Sequence, residues 1–368
     1  MKSLSNACCV NAVPGSDEES IIIYHYFDLS DPEGYCRALE GRFRQSGHTR
    51  PIVFKNWNCY TSEPGRDGDL FFYDAVVMSA LVDKGYLNLF PDIFHTGHLF
   101  DWVQDRTKVQ QQTYGYPFMV CGNTLICRKE DDSGIRNIMD LHEHVAVPMQ
   151  TMMPYYYLQA FCNSQDPSGG FDIMEHLLGL MGGKDAVEGS TVEAYDGINR
   201  FIRGECRYYL GFTEGMRKFP KGDYTVRFAN FSENKTDQMP LFFCDMVSIG
   251  KHVREEKLLD CLDLLEIVTD EDFIYEICTM NGQLQYMLPA NRNLYPRLAK
   301  LDPLYQQFFR LLNSDENSPF RYGAAFYEDF DRGAGDMLKN LVGNQEHLFQ
   351  RAAEFLRSRS MTKGPNGR

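Results

Sequence analysis

The sequence is short of basic residues and of long apolar runs, and each shortage excludes a class of partner. Its 368 residues carry 37 Lys and Arg against 51 Asp and Glu, a formal net charge of −14. A chain this acidic repels phosphate backbones and anionic lipid surfaces, which argues against nucleic acid or a membrane as partner. No apolar stretch approaches the roughly 20 residues of a membrane helix; the longest candidates are pieces such as Ala75 to Val82. Cys-x-x-Cys pairs are absent: Cys8 and Cys9 are adjacent, and Cys121 and Cys127 have the wrong separation for a zinc knuckle. The pairs His95/His98 and His142/His144 lack a third ligand in register and read as solvated or capping residues, so no metal is expected. The segment from Gly179 to Lys184 has neither the full spacing of a phosphate loop nor Ser or Thr after its lysine, and reads as a helix stop. Residues 1–20 hold one early lysine, no continuous apolar stretch and the acidic run Asp17, Glu18, Glu19, which is unlike a secretory signal. Eleven cysteines, an odd number, are too few for a disulfide scaffold at this length, so reduced thiols and a cytoplasmic location are expected. In that setting the sequons at Asn230 and Asn234 carry no expectation of glycosylation.

What is present is an ordinary globular composition, 43% hydrophobic and 24% charged, in a chain long enough for two domains. A β-rich run over 21–27 is followed by Pro32 and an amphipathic helix over 33–44, then strands over 51–56 and 70–73 and a helix over 75–84 stopped by Gly85. That alternation predicts an α/β fold with a largely parallel sheet. The long run over 116–129 reads as a crossing between two lobes. Helical patterns follow over 134–142, 155–163, 173–181 and 191–203, with strands over 145–148, 206–212, 224–231 and 241–249. Leu258, Cys261, Leu262 and Leu265 make one apolar helical face, and the reading is nearly all helix from Val253 onward. The organisation expected is lobe 1 over 20–122 plus 248–288, lobe 2 over 123–247 plus 289–358, and flexible ends at 1–19 and 359–368.

Among nucleophiles, a thiolate stands out because it reacts near neutral pH, given a base or an electropositive neighbour. Cys36, Cys261 and Cys278 lie in helical stretches and read as core fillers. Cys121 follows Tyr114-Gly115-Tyr116-Pro117 at the crossing; position alone leaves a structural role open beside a catalytic one. Three carboxylates, Asp74, Glu214 and Asp245, end or interrupt apolar β runs, where strand ends of an open α/β sheet converge on a ligand. Helix capping is the competing reading for Asp74, since a helix follows it. Aromatics recur near these acids, namely Tyr24, Tyr26, Trp57, Tyr60, Tyr114, Tyr116, Tyr195, Phe212 and Phe243. Aromatic faces beside carboxylates suit a flat, cationic, nitrogen-rich ligand.

The segments Tyr114-Gly-Tyr-Pro-Phe-Met-Val-Cys121-Gly-Asn, Leu210-Gly-Phe-Thr-Glu214-Gly-Met, Pro240-Leu-Phe-Phe-Cys-Asp245-Met-Val-Ser and Tyr286-Met-Leu-Pro-Ala290 resemble thiaminase I, the thiamine pyridinylase family, in order and spacing. The resemblance runs from about residue 21 to residue 322. It implies a two-lobed, type II periplasmic-binding-protein-like α/β fold with the active site in an interlobe cleft, no cofactor, and a monomer. It further implies thiamine as substrate with a small amine or thiol as co-substrate. Cys121 would be the nucleophile and Glu214 the base that takes its proton. Asp74 and Asp245 would hold the aminopyrimidine, and Tyr24, Tyr60 and Tyr195 would line the pocket, with Tyr26 a looser match. Bacterial relatives tend to carry tyrosines where this chain has Phe212 and Phe243, so the corresponding hydroxyls are missing here. They are also typically exported, a property not carried over to this chain.

The implied chemistry is coherent. Thiamine joins an aminopyrimidine to a thiazolium through one methylene, and adding a thiolate to the adjacent pyrimidine carbon lets the ring expel neutral thiazole. An external nucleophile then adds at the methylene and the cysteine leaves, so two easier steps replace one difficult displacement. A non-catalytic solute-binding protein of the same fold, holding thiamine or another small cation, is the alternative; it has no need of a thiol beside a buried acid. A pyrimidine-biosynthetic relative would want a histidine and a pyridoxal-binding lysine, and no such pair is seen.

Overall fold

The computed structural model describes residues 19–26, 31–59, 62–104, 107–122, 124–135, 137–147, 176, 180, 197–229 and 242–313. In chain order the strands are β1 (Ile21–His25), β2 (Ile52–Asn56), β3 (Leu70–Asp74), β4 (Lys108–Val109), β5 (Gln112–Thr113), β6 (Tyr116–Gly122), β7 (Thr124–Arg128), β8 (Val145–Ala146), β9 (Tyr208–Gly211), β10 (Tyr224–Phe228), β11 (Phe242–Ile249) and β12 (Leu288–Pro289). The chain divides into two units. The first holds the described residues up to Val120 and from Phe243 to Leu294; the second holds those from Cys121 to Phe242 and from Tyr295 onward.

In the first unit a six-stranded sheet has the order β12-β6-β11-β3-β1-β2. β1 runs parallel to β2 and to β3, while β11 lies antiparallel to β3. The buried triplet Ile21, Ile22, Ile23 and the fully buried β3 explain why both central strands read as near-continuous apolar runs. The helix Pro32–Gln45 starts where the Asp31 side chain accepts the Gly34 amide hydrogen at 2.7 Å and Pro32 supplies a preset φ. Its Arg42 and Arg44 occupy the last turn, where cations favour the helix dipole. It packs on the helix Glu255–Thr269, which also touches β1. Buried Lys257 pins that helix to the sheet: its Nζ donates to the Ser20 carbonyl at 2.6 Å and pairs with Asp69 Oδ2 at 3.1 Å. The same Asp69 oxygen accepts the Ile22 amide hydrogen at 2.8 Å.

In the second unit a four-stranded sheet has the order β10-β7-β9-β8. β7 is antiparallel to both β10 and β9, and β8 is parallel to β9. The helix Leu304–Leu312 covers β10, where Gln307 bonds across to the backbone of Tyr224 and Val226. The helix Gly197–Ile202 ends before Gly204, whose φ of +75° suits only glycine comfortably.

Several expectations change. The run over 116–129 does pass from one unit to the other, as a crossing, but as two strands, β6 and β7, that belong to different sheets. The helix expected over 134–142 is a single 3-10 turn, Ile138–Asp140. Asn137 accepts the Met139 amide hydrogen there, and Asp132 accepts that of Gly134, so side chains compete with helical bonding. The buried face of Glu255–Thr269 is Lys257, Cys261, Leu264, Leu265 and Val268, leaving Leu258 and Leu262 half-buried. The stretch after Val253 also holds a strand, β12, which pairs with β6. The helices expected over 155–163 and 173–181 lie outside the described residues apart from His176 and Leu180.

Candidate functional site

The first unit gathers acids at one end of β3. Asp74, the last residue of β3 and 2% exposed, is the direct register partner of Asp245 on antiparallel β11. Residues opposite one another in such a pair point to the same face, their Cβ atoms about 4.5–5.5 Å apart. The two carboxylates therefore leave one face of the sheet together. A 3-10 turn, Ala75–Val77, follows Asp74 directly, and the α-helix after it begins at Met78 with Val77 at its cap and no side-chain capping bond. On the opposite face the Tyr73 hydroxyl and Ser248 Oγ lie 2.6 Å apart. Gly115 makes room for that contact, since a Cβ there would lie 2.6 Å from Ser248 Oγ and 3.0 Å from the Tyr73 hydroxyl.

Tyr26, just past β1, donates its hydroxyl hydrogen to Asp245 Oδ1. Burial pushes the Asp245 carboxyl up from its ordinary range to about 6, a rise that the Tyr26 hydrogen bond moderates. Burial, together with the nearby Asp245 and Asp74, holds the Tyr26 phenol well above its usual value. Cys59 belongs to this cluster as well: burial raises its thiol, Asp74 and Asp245 add to the rise, and a hydrogen bond to the Asp74 backbone opposes it. Sequence reasoning missed Cys59, because the loop that carries it is joined to β3 only through folding. Its place beside Tyr60 was the available signal.

Tyr24 sits elsewhere. Its register partner is Phe71, three residues before Asp74 and so on the other face of the sheet. Its ring stacks on Phe71 at 5.7 Å, and its hydroxyl donates to Asp67 at 3.0 Å. Tyr60, Tyr195 and the Phe243 side chain lie outside the described residues.

The second unit holds Cys121 and Glu214. Thr124 opens β7 and pairs with Gly211, which closes β9. Cys121 stands three residues before Thr124 and Glu214 three residues after Gly211, so both leave the same end of one antiparallel pair. The Thr124 hydroxyl ties that end, donating to the Gly211 carbonyl at 2.5 Å. Cys121 is 9% exposed. Glu214 is half-buried in the 3-10 turn Thr213–Lys218, and its Oε2 is closed to solvent. An activated cysteine nucleophile needs a base within hydrogen-bond reach of its thiol.

The eight described cysteines are buried thiols. Among the described residues no group of three His, Cys, Asp or Glu side chains is placed to hold a metal ion. His98 bonds to the Tyr116 hydroxyl at 2.6 Å and His144 to the Leu180 carbonyl at 3.1 Å. No helix among the described residues is long and apolar enough to cross a membrane.

No family model matches the chain. The chain is 25% identical over 345 residues to thiaminase-1 of Paenibacillus thiaminolyticus, spanning 82% of this chain and 83% of that relative. Clostridium botulinum thiaminase I in complex with thiamin has a TM-score of 0.74 at 22% identity, covering 88% of this chain and all of that one. Maltose-bound MalE3 of T. maritima has a TM-score of 0.67 at 15% identity, covering 92% and 99% of the two chains. The fold is thus the type II periplasmic-binding-protein-like α/β architecture expected, and the resemblance to thiaminase I extends over most of the chain.

Proposed function

We propose that this chain is a thiamine-degrading transferase, which displaces the thiazole of thiamine by a small amine or thiol. The observation that carries the reading is that Cys121 and Glu214 leave one end of the β7–β9 pair, in a chain similar over most of its length to thiaminase I. In this reading Glu214 takes the Cys121 proton and the thiolate adds to the unsubstituted pyrimidine carbon beside the one that bears the bridging methylene. The ring then expels neutral thiazole. Glu214 acts again on the incoming nucleophile, which adds at the methylene, and Cys121 leaves with the ring restored. Asp74 and Asp245 would hydrogen-bond the aminopyrimidine, with Tyr26 fixing the orientation of Asp245. Tyr60 and Tyr195 keep the pocket-lining roles implied by the resemblance, Tyr24 is left out of them by its place against Phe71 and Asp67, and the protein works as a monomer.

Purified protein incubated with thiamine and aniline should release free thiazole and form a pyrimidinylmethyl-aniline adduct detectable by mass spectrometry. Cys121→Ser should abolish both products while the circular dichroism spectrum stays that of the parent. Undiminished turnover by that variant would refute the assignment. Glu214→Gln should lower kcat by on the order of 10²-fold or more, as loss of a general base does. A protein that binds thiamine tightly and releases no thiazole with any amine or thiol would instead be a solute-binding protein, a reading favoured by the likeness to maltose-bound MalE3.

A further inference from the structure

We infer that Tyr209 is a positioning residue for Glu214: its ring and hydroxyl form the surface on which the turn bearing that carboxylate is laid. The inference rests on the catalytic role proposed above for Glu214 and adds a residue outside the substrate-contacting set. Glu214 lies between two glycines, Gly211 and Gly215, and neither has a positive φ, so backbone strain does not demand glycine at either place. Space does. A Cβ at Gly211 would lie 2.6 Å from both the Cζ and the hydroxyl oxygen of Tyr209, and one at Gly215 would lie 2.5 Å from that same oxygen. Real Cβ atoms do not approach so closely, so the turn folds back onto Tyr209 only because both positions lack a side chain.

Tyr209 cannot easily yield. It is 1% exposed on β9, with Phe219 edge-on to its ring at 5.3 Å and Phe201 tilted against it at 6.0 Å. On the Gly211 carbonyl the Thr124 hydroxyl provides the second anchor. The Glu214 backbone is therefore held by a rigid aromatic ring and by the first residue of β7, three positions from Cys121. A general base must sit within hydrogen-bond reach of the proton it takes, and a displacement of about 1 Å costs on the order of 10²-fold in rate.

The test is a pair of variants and their combination in the full chain. Gly215→Ala pushes the turn off Tyr209; Tyr209→Phe removes the atom nearest the new methyl, leaving ring carbons at 3.0 and 3.3 Å. Two readouts are followed, the pH profile of kcat/KM for thiamine cleavage and the carboxyl titration of Glu214 by NMR on protein labelled with ¹³C-glutamate. Gly215→Ala should lower kcat roughly 10- to 100-fold, leave KM near the parent value, and shift both the acid limb and the Glu214 titration. Adding Tyr209→Phe should return most of each change. A Gly215→Ala protein with unaltered titration and rate, or a defect that Tyr209→Phe does not relieve, overturns the inference. If Gly215→Ala does not fold, Tyr209→Leu decides, since it removes the ring on which the turn is laid while keeping the site apolar; the Glu214 titration must then move, and an unmoved titration overturns the inference. A parent protein inactive on thiamine would defeat the proposed function, while the Glu214 titration in the variants would still decide the role of Tyr209.

Discussion

Asp245 combines three pressures: a desolvated setting, the hydroxyl of Tyr26 on one oxygen, and Asp74 directly opposite on β3. Burial raises its carboxyl from the ordinary 3.8 to about 6, with Tyr26 working against the rise. Folding therefore takes up a proton between those values. The stabilisation linked to it is full below the unfolded value and is lost as pH climbs through about 6. At neutral pH the ionised side chain costs stability, on the order of 1–3 kcal/mol. Asp245→Asn should accordingly raise Tm at pH 7.5 and give no gain at pH 4, while thiamine turnover falls. Thermal melts across that range check it; an equal Tm difference at both ends would disprove the linkage. Of the residues in this cluster, Asp74 and Asp245 were legible because each ends an apolar run. Cys59 was not, because nothing local in the sequence joins its loop to the end of β3.

At the level of elements, the helix Glu255–Thr269 shows how far periodicity reaches. It is helical as its pattern predicts, yet its buried face is turned toward Lys257, because the Nζ of that residue finds Ser20 and Asp69 just before the interior strands β1 and β3. A hydrophobicity pattern treats lysine as an outward residue and cannot foresee a buried partner. Lys257→Met would leave the Asp69 carboxylate buried without its cation, and should destabilise the protein by about 3–5 kcal/mol in denaturant unfolding. A loss under about 1 kcal/mol, the range of exposed pairs, would show that water reaches Asp69. The run over 116–129 teaches the same lesson for strands. Its apolar content was plain, but its division into β6 and β7 depends on which distant strands each half finds, β12 for the one and β9 and β10 for the other.

For the whole molecule the governing quantity is charge. A net charge of −14 draws in a thiazolium cation, and salt screens that attraction over a Debye length of about 10 Å at 0.1 M. Under the proposed function, kcat/KM for thiamine should fall as NaCl rises toward about 0.5 M while kcat changes little, because encounter is screened and the buried chemistry is not. Steady-state kinetics at several salt concentrations check this, and a kcat/KM independent of salt would show that the overall charge does not guide the substrate. In solution the proposed monomer should elute from size exclusion with light scattering near 42.4 kDa; a mass twice that would overturn the monomer.

Secondary structure and chemical repertoire were written in composition and local order. The isoleucine run of β1, the Pro32 helix start, the glycine stops, and the motifs around Cys121, Glu214 and Asp245 are all short-range features, and short-range sterics and apolar periodicity settle them before any long contact forms. Pairing across the chain was not written there. That Asp74 opposes Asp245, that Tyr24 turns to the other face, that Gly211 and Gly215 are glycines for the sake of Tyr209, all follow from register and close packing between segments far apart in sequence. The reason is that a register shift of one residue sends every side chain to the opposite face, and the information that selects the register is spread over all the strands it aligns.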